Sequence, residues 1–240
     1  MNTKSLKLLT LIVAFLPFFS MASSDKAGPD HSQWDRLLQK HVTDNGRVDY
    51  AGFKQDKALL DAYLAELASF PVESSWPREH KMAYWINAYN AFTIKLIVDN
   101  YPVNSIQDIH EGKPWDVKWI TLGDKTYSLN NIENDVLRPK YKDARIHFAV
   151  NCAAKSCPPL LNKAFTGKKL EVQLDQQTRK FVNNTSYNKL SAEGPKISKI
   201  FEWYSGDFGD IQSYLNKYSK TKVRSNAPVS YREYDWALNN

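Results

Sequence analysis

The chain has 240 residues, 42% of them hydrophobic and 24% charged, with 9 glycines, 11 prolines and 2 cysteines. That balance suits one folded domain with a sizeable core, and it excludes a disordered, collagenous or disulfide-dense chain. The formal charge of +6 is a mild excess spread along the chain, so no nucleic-acid surface is expected.

Lys4 and Lys7 precede an apolar run over 8–19, and Ser20-Met21-Ala22 puts small residues where a signal peptidase reads. The pattern predicts a signal peptide over 1–22, cut after Ala22, and an exported protein, periplasmic or secreted. The run is too short for a good span, so no stable membrane insertion is expected after cleavage. Cleavage removes Lys4 and Lys7 and lowers the charge from +6 to +4.

Residues 23–43 read as a polar leader followed by a short amphipathic helix carrying Trp34, Leu37, Leu38 and Val42, with the main domain over 44–240. Asp44-Asn45-Gly46 is a turn into an extended piece over 47–50. Leu59, Leu60, Tyr63, Leu64 and Leu67 recur at helical spacing, ending before Pro71. Ser75 then caps the longest predicted helix, which runs to Asp99 and is stopped by Asn100-Tyr101-Pro102.

Residues 117–121 and 126–129 form a predicted hairpin across Gly123. Asn130 caps a short helix that Pro139 ends, with Glu133 completing a capping box. Over 145–151, Ile146, Phe148 and Val150 alternate with Arg145, His147, Ala149 and Asn151, the period of a half-buried strand with Cys152 at its end. Leu170, Leu174, Phe181 and Val182 mark another helix. A strand over 196–201, a helix over 210–218 and a strand over 229–234 complete the chain. Without regular β-α-β alternation or repeats, these elements predict an α+β fold. It is a single compact domain with helices packed on a small, mainly antiparallel sheet.

Chemistry concentrates in RIHFAVNCAAKSCPPL, residues 145–160, which holds both cysteines and His147. A thiolate is a nucleophile and a metal ligand, and a neighbouring imidazole can take its proton, so Cys152 with His147 as general base is the candidate catalytic pair. The alternative is a Cys152–Cys157 disulfide, which export favours. His-x4-Cys-x4-Cys offers three soft ligands without a sequence-local fourth, so no metal or other cofactor is expected.

Asn87 and Asn90 share a face of the long helix with Ile94 and Ile97. Either one carboxamide serves as an oxyanion donor or orients the histidine, or both amides tie loop backbone to the helix. Glu133 is the candidate acid that orients His147, with capping as its structural alternative and Asp207 as a second acid. Trp203, Tyr204, Asp207 and Phe208 read as core and turn.

Five blocks, YWINAYNAFTIKLI, SLNNIENDVLR, RIHFAVNCAAKSCPPL, SKIFEWYSGDF and YREYDWALN, together resemble the family known as domain of unknown function 547. The resemblance runs from about Asp44 to the C-terminus. It implies a compact domain whose signature is the His147-to-Cys152 block, with Cys157-Pro158 typical of bacterial members, which are often exported. Some relatives have serine in place of the second cysteine, which implies that Cys152 matters without a bridge. Many relatives have histidine where this chain has Asn134. Papain-like and transglutaminase-like thiol enzymes place the nucleophile before the histidine in the chain, the reverse of the order here.

The functional expectation is a thiol-dependent hydrolase or acyl transferase acting on a small molecule or peptide. The alternative is an envelope protein that binds a ligand or partner without catalysis.

Overall fold

The computed structural model describes residues 28–240, so the predicted signal peptide lies outside the described residues. The helices are α1 (Ser32–His41), α2 (Tyr50–Gln55), α3 (Lys57–Ser69), α4 (Arg78–Asn100), α5 (Arg138–Tyr141), α6 (Leu170–Val182), α7 (Ile200–Trp203), α8 (Ser205–Phe208) and α9 (Ile211–Tyr218). Two ribbons accompany them: β1 (Ile120–Leu122) antiparallel to β2 (Lys125–Tyr127), and β3 (Lys196–Ile197) parallel to β4 (Ser230–Tyr231). The fold is α+β. No helix among the described residues is long and apolar enough to cross a membrane.

α4 organises the molecule because its sequence is apolar or small on nearly every face. Every residue from Met82 to Ile94 is buried, as expected of a helix enclosed by others. α2 and α3 lie against it. α1 contributes Trp34, Leu37 and Leu38 to the same core. A second apolar cluster joins Phe148, Phe181, Phe201, Phe208 and Leu215 under the β3–β4 ribbon. The hairpin forms around Gly123 with shorter strands than expected, and Leu122 pairs with Lys125 across a two-residue turn. Gly123 adopts φ 61°, and a Cβ there would meet Pro71 Cβ at 2.9 Å.

Several local expectations are corrected. Residues 145–151 form no strand: Ala144–Phe148 is a 3-10 turn, capped by the Asp143 carboxylate accepting from Arg145 N–H at 3.0 Å. Its consecutive residues serve two cores, with Ile146 in the α4 cluster and Phe148 in the second. His147, counted with the polar set in the alternation, is buried too. The piece over 47–50 turns helical at Tyr50, because Asp49 accepts from Gly52 N–H at 2.8 Å. Past Ile197 the strand gives way to α7, where Ile200 N–H reaches Ser198 Oγ.

The helix after the hairpin is capped by Ser128, whose hydroxyl accepts from Asn131 N–H at 3.1 Å while Asn131 Oδ1 accepts from Ser128 N–H at 3.0 Å. Asn130 is already helical and caps nothing with its side chain. The segment continues as a π-helix (Asn131–Leu137) into α5, and Pro139 sits in the first turn of α5, where its missing N–H is tolerated, instead of ending the helix. Glu133 is therefore free of the cap and turns inward, buried.

Candidate functional site

The cysteine loop leaves the 3-10 turn through Asn151, whose side chain shapes everything after it. Its Nδ2 donates to Pro158 O at 2.8 Å, and its Oδ1 accepts from Ala153 N–H at 2.9 Å and from Asn239 Nδ2 at 3.2 Å. These bonds hold Ala153 at φ 63°, a left-handed conformation that an alanine adopts only under constraint. The C-terminal segment lies along the loop, with Lys155 N–H donating to Ala237 O and Asn239 N–H to Ala153 O. Gly46 packs so closely on Pro159 that a Cβ would sit 2.5 Å from its Cβ.

Asn87 and Asn90 anchor loops from below. Asn87 donates to Phe165 O and accepts from Phe165 N–H, at 2.8 and 3.0 Å. Asn90 donates to Ala149 O and accepts from Asn151 N–H, at 2.9 and 2.8 Å. Both are buried, and both carboxamides are engaged by loop backbone, the second of the two roles expected of them. Asn90 positions the cysteine loop directly.

The acid that meets His147 is Asp207, the second of the two candidates. His147 Nε2 donates to Asp207 Oδ2 at 2.7 Å, and the same carboxylate takes the Arg138 guanidinium on both oxygens, at 2.6 and 3.1 Å. Asn134, where many resembling chains carry histidine, accepts from Arg138 at 2.9 Å and so helps aim it. The His147 ring stacks on Tyr204 with centroids 3.9 Å apart.

Burial pushes the His147 imidazole down to about 4, although Asp207 works to raise it. The Arg138 fork, helped by His147, holds Asp207 below the usual carboxylate range. At neutral pH the ring is uncharged, with its proton on Nε2. Nδ1 is a buried acceptor without a hydrogen-bond partner. Glu133 takes hydrogen bonds from Tyr204 and Tyr89 instead, and its burial raises its pKa against those bonds.

Cys152 and Cys157 are free thiols, with sulfurs 2.7 Å apart. Cys152 N–H donates to Cys157 Sγ at 2.8 Å, and the Tyr234 hydroxyl lies 3.1 Å from Cys152 Sγ. Burial alone would raise the Cys152 thiol. Hydrogen bonds from Cys157, Tyr234 and the Ala154 N–H outweigh it and leave Cys152 below the ordinary thiol value. Cys157, the more buried of the two, is driven well up, first by burial and then by its neighbour. Cys152 is the partly exposed member.

Both groups open on one cavity of about 280 Å³. His147, Glu133 and the two thiols line it together with Tyr89 and Tyr204, while Trp115, Trp203, Tyr234 and Trp236 form its aromatic remainder. Trp203 is 45% exposed and stacks on Trp236. Among the described residues, no lysine or arginine lines the cavity. The structure thus gathers Cys152, His147 and Glu133 around one space, with Asn87 and Asn90 holding neighbouring loops. Hydrogen bonding pairs His147 with Asp207 and Cys152 with Cys157 and Tyr234.

Sequence reasoning missed Tyr234, which lies 82 positions from Cys152, read Tyr204 as core and turn, and held Asp207 only as the second candidate acid. The signal was present in the blocks SKIFEWYSGDF and YREYDWALN, which hold the missing wall. Among the described residues, no group of three or more His, Cys, Asp or Glu side chains is placed to hold a metal ion.

Residues 73–182 match the family model described as "Protein of unknown function, DUF547". The match spans α4, Glu133, His147 and both cysteines, while Trp203, Tyr204, Asp207, Tyr234 and Trp236 lie beyond it. No curated protein and no solved structure matches the chain.

Proposed function

The chain carries a DUF547 domain, and from its cavity we propose that it is an exported, thiol-dependent hydrolase or acyl transferase with Cys152 as nucleophile. The observation that carries this reading is the surroundings of Cys152. Cys152 is a partly exposed residue of the cavity lining, and three donors favour its thiolate over the thiol. The thiolate attacks a carbonyl carbon, the leaving group departs taking a proton from water, and water or another acceptor, giving its proton to His147 Nδ1, then takes the acyl group and releases the sulfur as thiolate.

His147 serves the proton transfers of the second step. It is neutral at pH 7, Asp207 fixes its tautomer, and its unpartnered Nδ1 is the basic nitrogen. The cavity's aromatic walls and lack of cationic side chains favour an uncharged acyl group on a small molecule or peptide.

The test uses the reduced protein and activated acyl esters. A mass increase on Cys152, absent in Cys152→Ser and long-lived in His147→Ala, supports the assignment. Alkylation of Cys152 by iodoacetamide with the pH dependence of an ordinary thiol, and no acyl adduct across a panel of esters and thioesters, refutes it. A second reading is a non-catalytic envelope protein that binds a ligand or partner, with the two cysteines as a staple. The 2.7 Å sulfur separation favours it, and it requires that no reactive thiol survive in the mature protein.

A further inference from the structure

The acyl-transfer reading uses Cys152 and leaves Cys157 as a bystander, yet the loop is built around the pair. We infer that Cys152 and Cys157 form a working dithiol–disulfide couple, which exchanges disulfides with a small or peptide-borne disulfide entering the cavity.

The sulfurs are 2.7 Å apart, whereas a disulfide bond is about 2.05 Å long, so the change on oxidation is under about 1 Å. The members differ in access as an attacking and a resolving thiol must. Both line the cavity, but Cys152 is partly exposed and Cys157 only 4% exposed. Each sulfur has its own donor: Tyr234 for Cys152 and the Cys152 N–H for Cys157. The thiolate is favoured at Cys152, the attacking position, and Cys157 stays a thiol until it resolves the mixed disulfide. The loop is held at both ends, by Asn151 on Pro158 O and by Lys155 N–H on Ala237 O, so the reduced and oxidised pairs sit on one backbone frame.

The reaction balances as an ordinary exchange. The Cys152 thiolate attacks one sulfur of an external disulfide, forming a mixed disulfide and expelling one thiolate, which takes up a proton. Cys157 gives up its proton to the second leaving thiolate as its sulfur attacks the Cys152 sulfur. The protein dithiol loses two electrons to become a disulfide, and the external disulfide becomes two thiols. An external dithiol drives the reverse.

Oxidised glutathione is the probe. The fully reduced wild-type protein is mixed with it, quenched in acid at intervals and weighed. The expected product is the internal disulfide with only a transient glutathione adduct. Cys157→Ser is expected to accumulate the adduct on Cys152 with loss of the internal disulfide, and Cys152→Ser to form neither.

An equilibrium on the wild type alone guards against variants that misfold. Across graded ratios of reduced to oxidised glutathione, the pair should convert reversibly in one two-electron step. A stable adduct in the wild type overturns the inference. So does a pair that stays dithiol at every ratio, or a disulfide that excess reduced glutathione does not open. The acyl-transfer reading is judged separately, by acyl adducts on the same reduced wild type. Exchange without acylation removes that reading alone, and acylation without exchange removes this one alone.

Discussion

Replacing Asn90 with leucine tests whether α4 holds the cysteine loop. The side chains are close in size, so the change removes two hydrogen bonds with little change of shape. Ala149 C=O and Asn151 N–H lose their partners at 2.9 and 2.8 Å. Asn90 is 3% exposed, so water does not replace them. Each unpaired buried group costs about 1–3 kcal/mol, and the added apolar surface of leucine returns about 1–2 kcal/mol. With two such groups at mid-range, the expected net loss is about 2–3 kcal/mol.

Urea unfolding should show a lower midpoint with an unchanged slope. The same variant should lose the fast alkylation of Cys152, because Asn151 is the residue that shapes the loop. Asn87→Leu breaks the same pair of bonds on Phe165 and should destabilise comparably while leaving Cys152 as reactive as before. A stability loss below about 0.5 kcal/mol, the range of neutral surface changes, would refute the reasoning for Asn90. Equal loss of Cys152 reactivity in both variants would refute the division of roles.

Three further outcomes are expected. His147 is held at about 4 by burial against an ordinary 6.5, so between those values the unfolded chain binds the extra proton. Stability is full above pH 6.5 and falls toward pH 4, by about 3 kcal/mol in all. His147→Gln should narrow the difference in urea midpoint between pH 7 and pH 4.5, and an unchanged difference would count against it. Tyr234→Phe removes one donor from the Cys152 thiolate, so the pH midpoint of iodoacetamide alkylation should move up. A midpoint that stays in place would remove Tyr234 from the site. Export predicts a mature protein beginning at Ser23 when the periplasmic or secreted fraction is sequenced, and retention of Met1 in that fraction would defeat the leader reading.

Much of this architecture was legible where one element buries one face. α6 (Leu170–Val182) and α9 (Ile211–Tyr218) lie where their apolar spacing places them, and the hairpin follows from Gly123 and its flanking residues. The failures share a cause. Period-2 alternation over 145–151 assumed one buried face and one wet face. The segment instead sends Ile146 and Phe148 into different cores with buried His147 between them. The capping reading of Asn130 and Glu133 matched a spacing that Ser128 and Asn131 satisfy two residues earlier. The site was legible only in its local half. Cys152, Cys157 and His147 stand within one block, while Asp207 and Tyr234 reach them across 60 and 82 positions through folding alone.

The seam between the two apolar clusters explains why the chemistry sits here. A 3-10 turn that must satisfy two cores cannot extend into a regular element. The chain after it is therefore irregular, and its backbone groups need side-chain partners. Asn90, Asn151 and Asn239 supply several of them. Those same bonds set both thiols on the cavity, Cys152 the more exposed of the two.

On the opposite wall, α7 and α8 bring Tyr204 and Asp207 against His147. The two walls come from different clusters, so a change in how they pack alters the space between thiol and imidazole without breaking either wall's own bonds. A substitution at the seam, such as Phe148→Leu, is then expected to slow any step that needs both Cys152 and His147 more than it slows alkylation of Cys152 alone. Slowing both equally would show that the two groups do not depend on the seam for their relative placement.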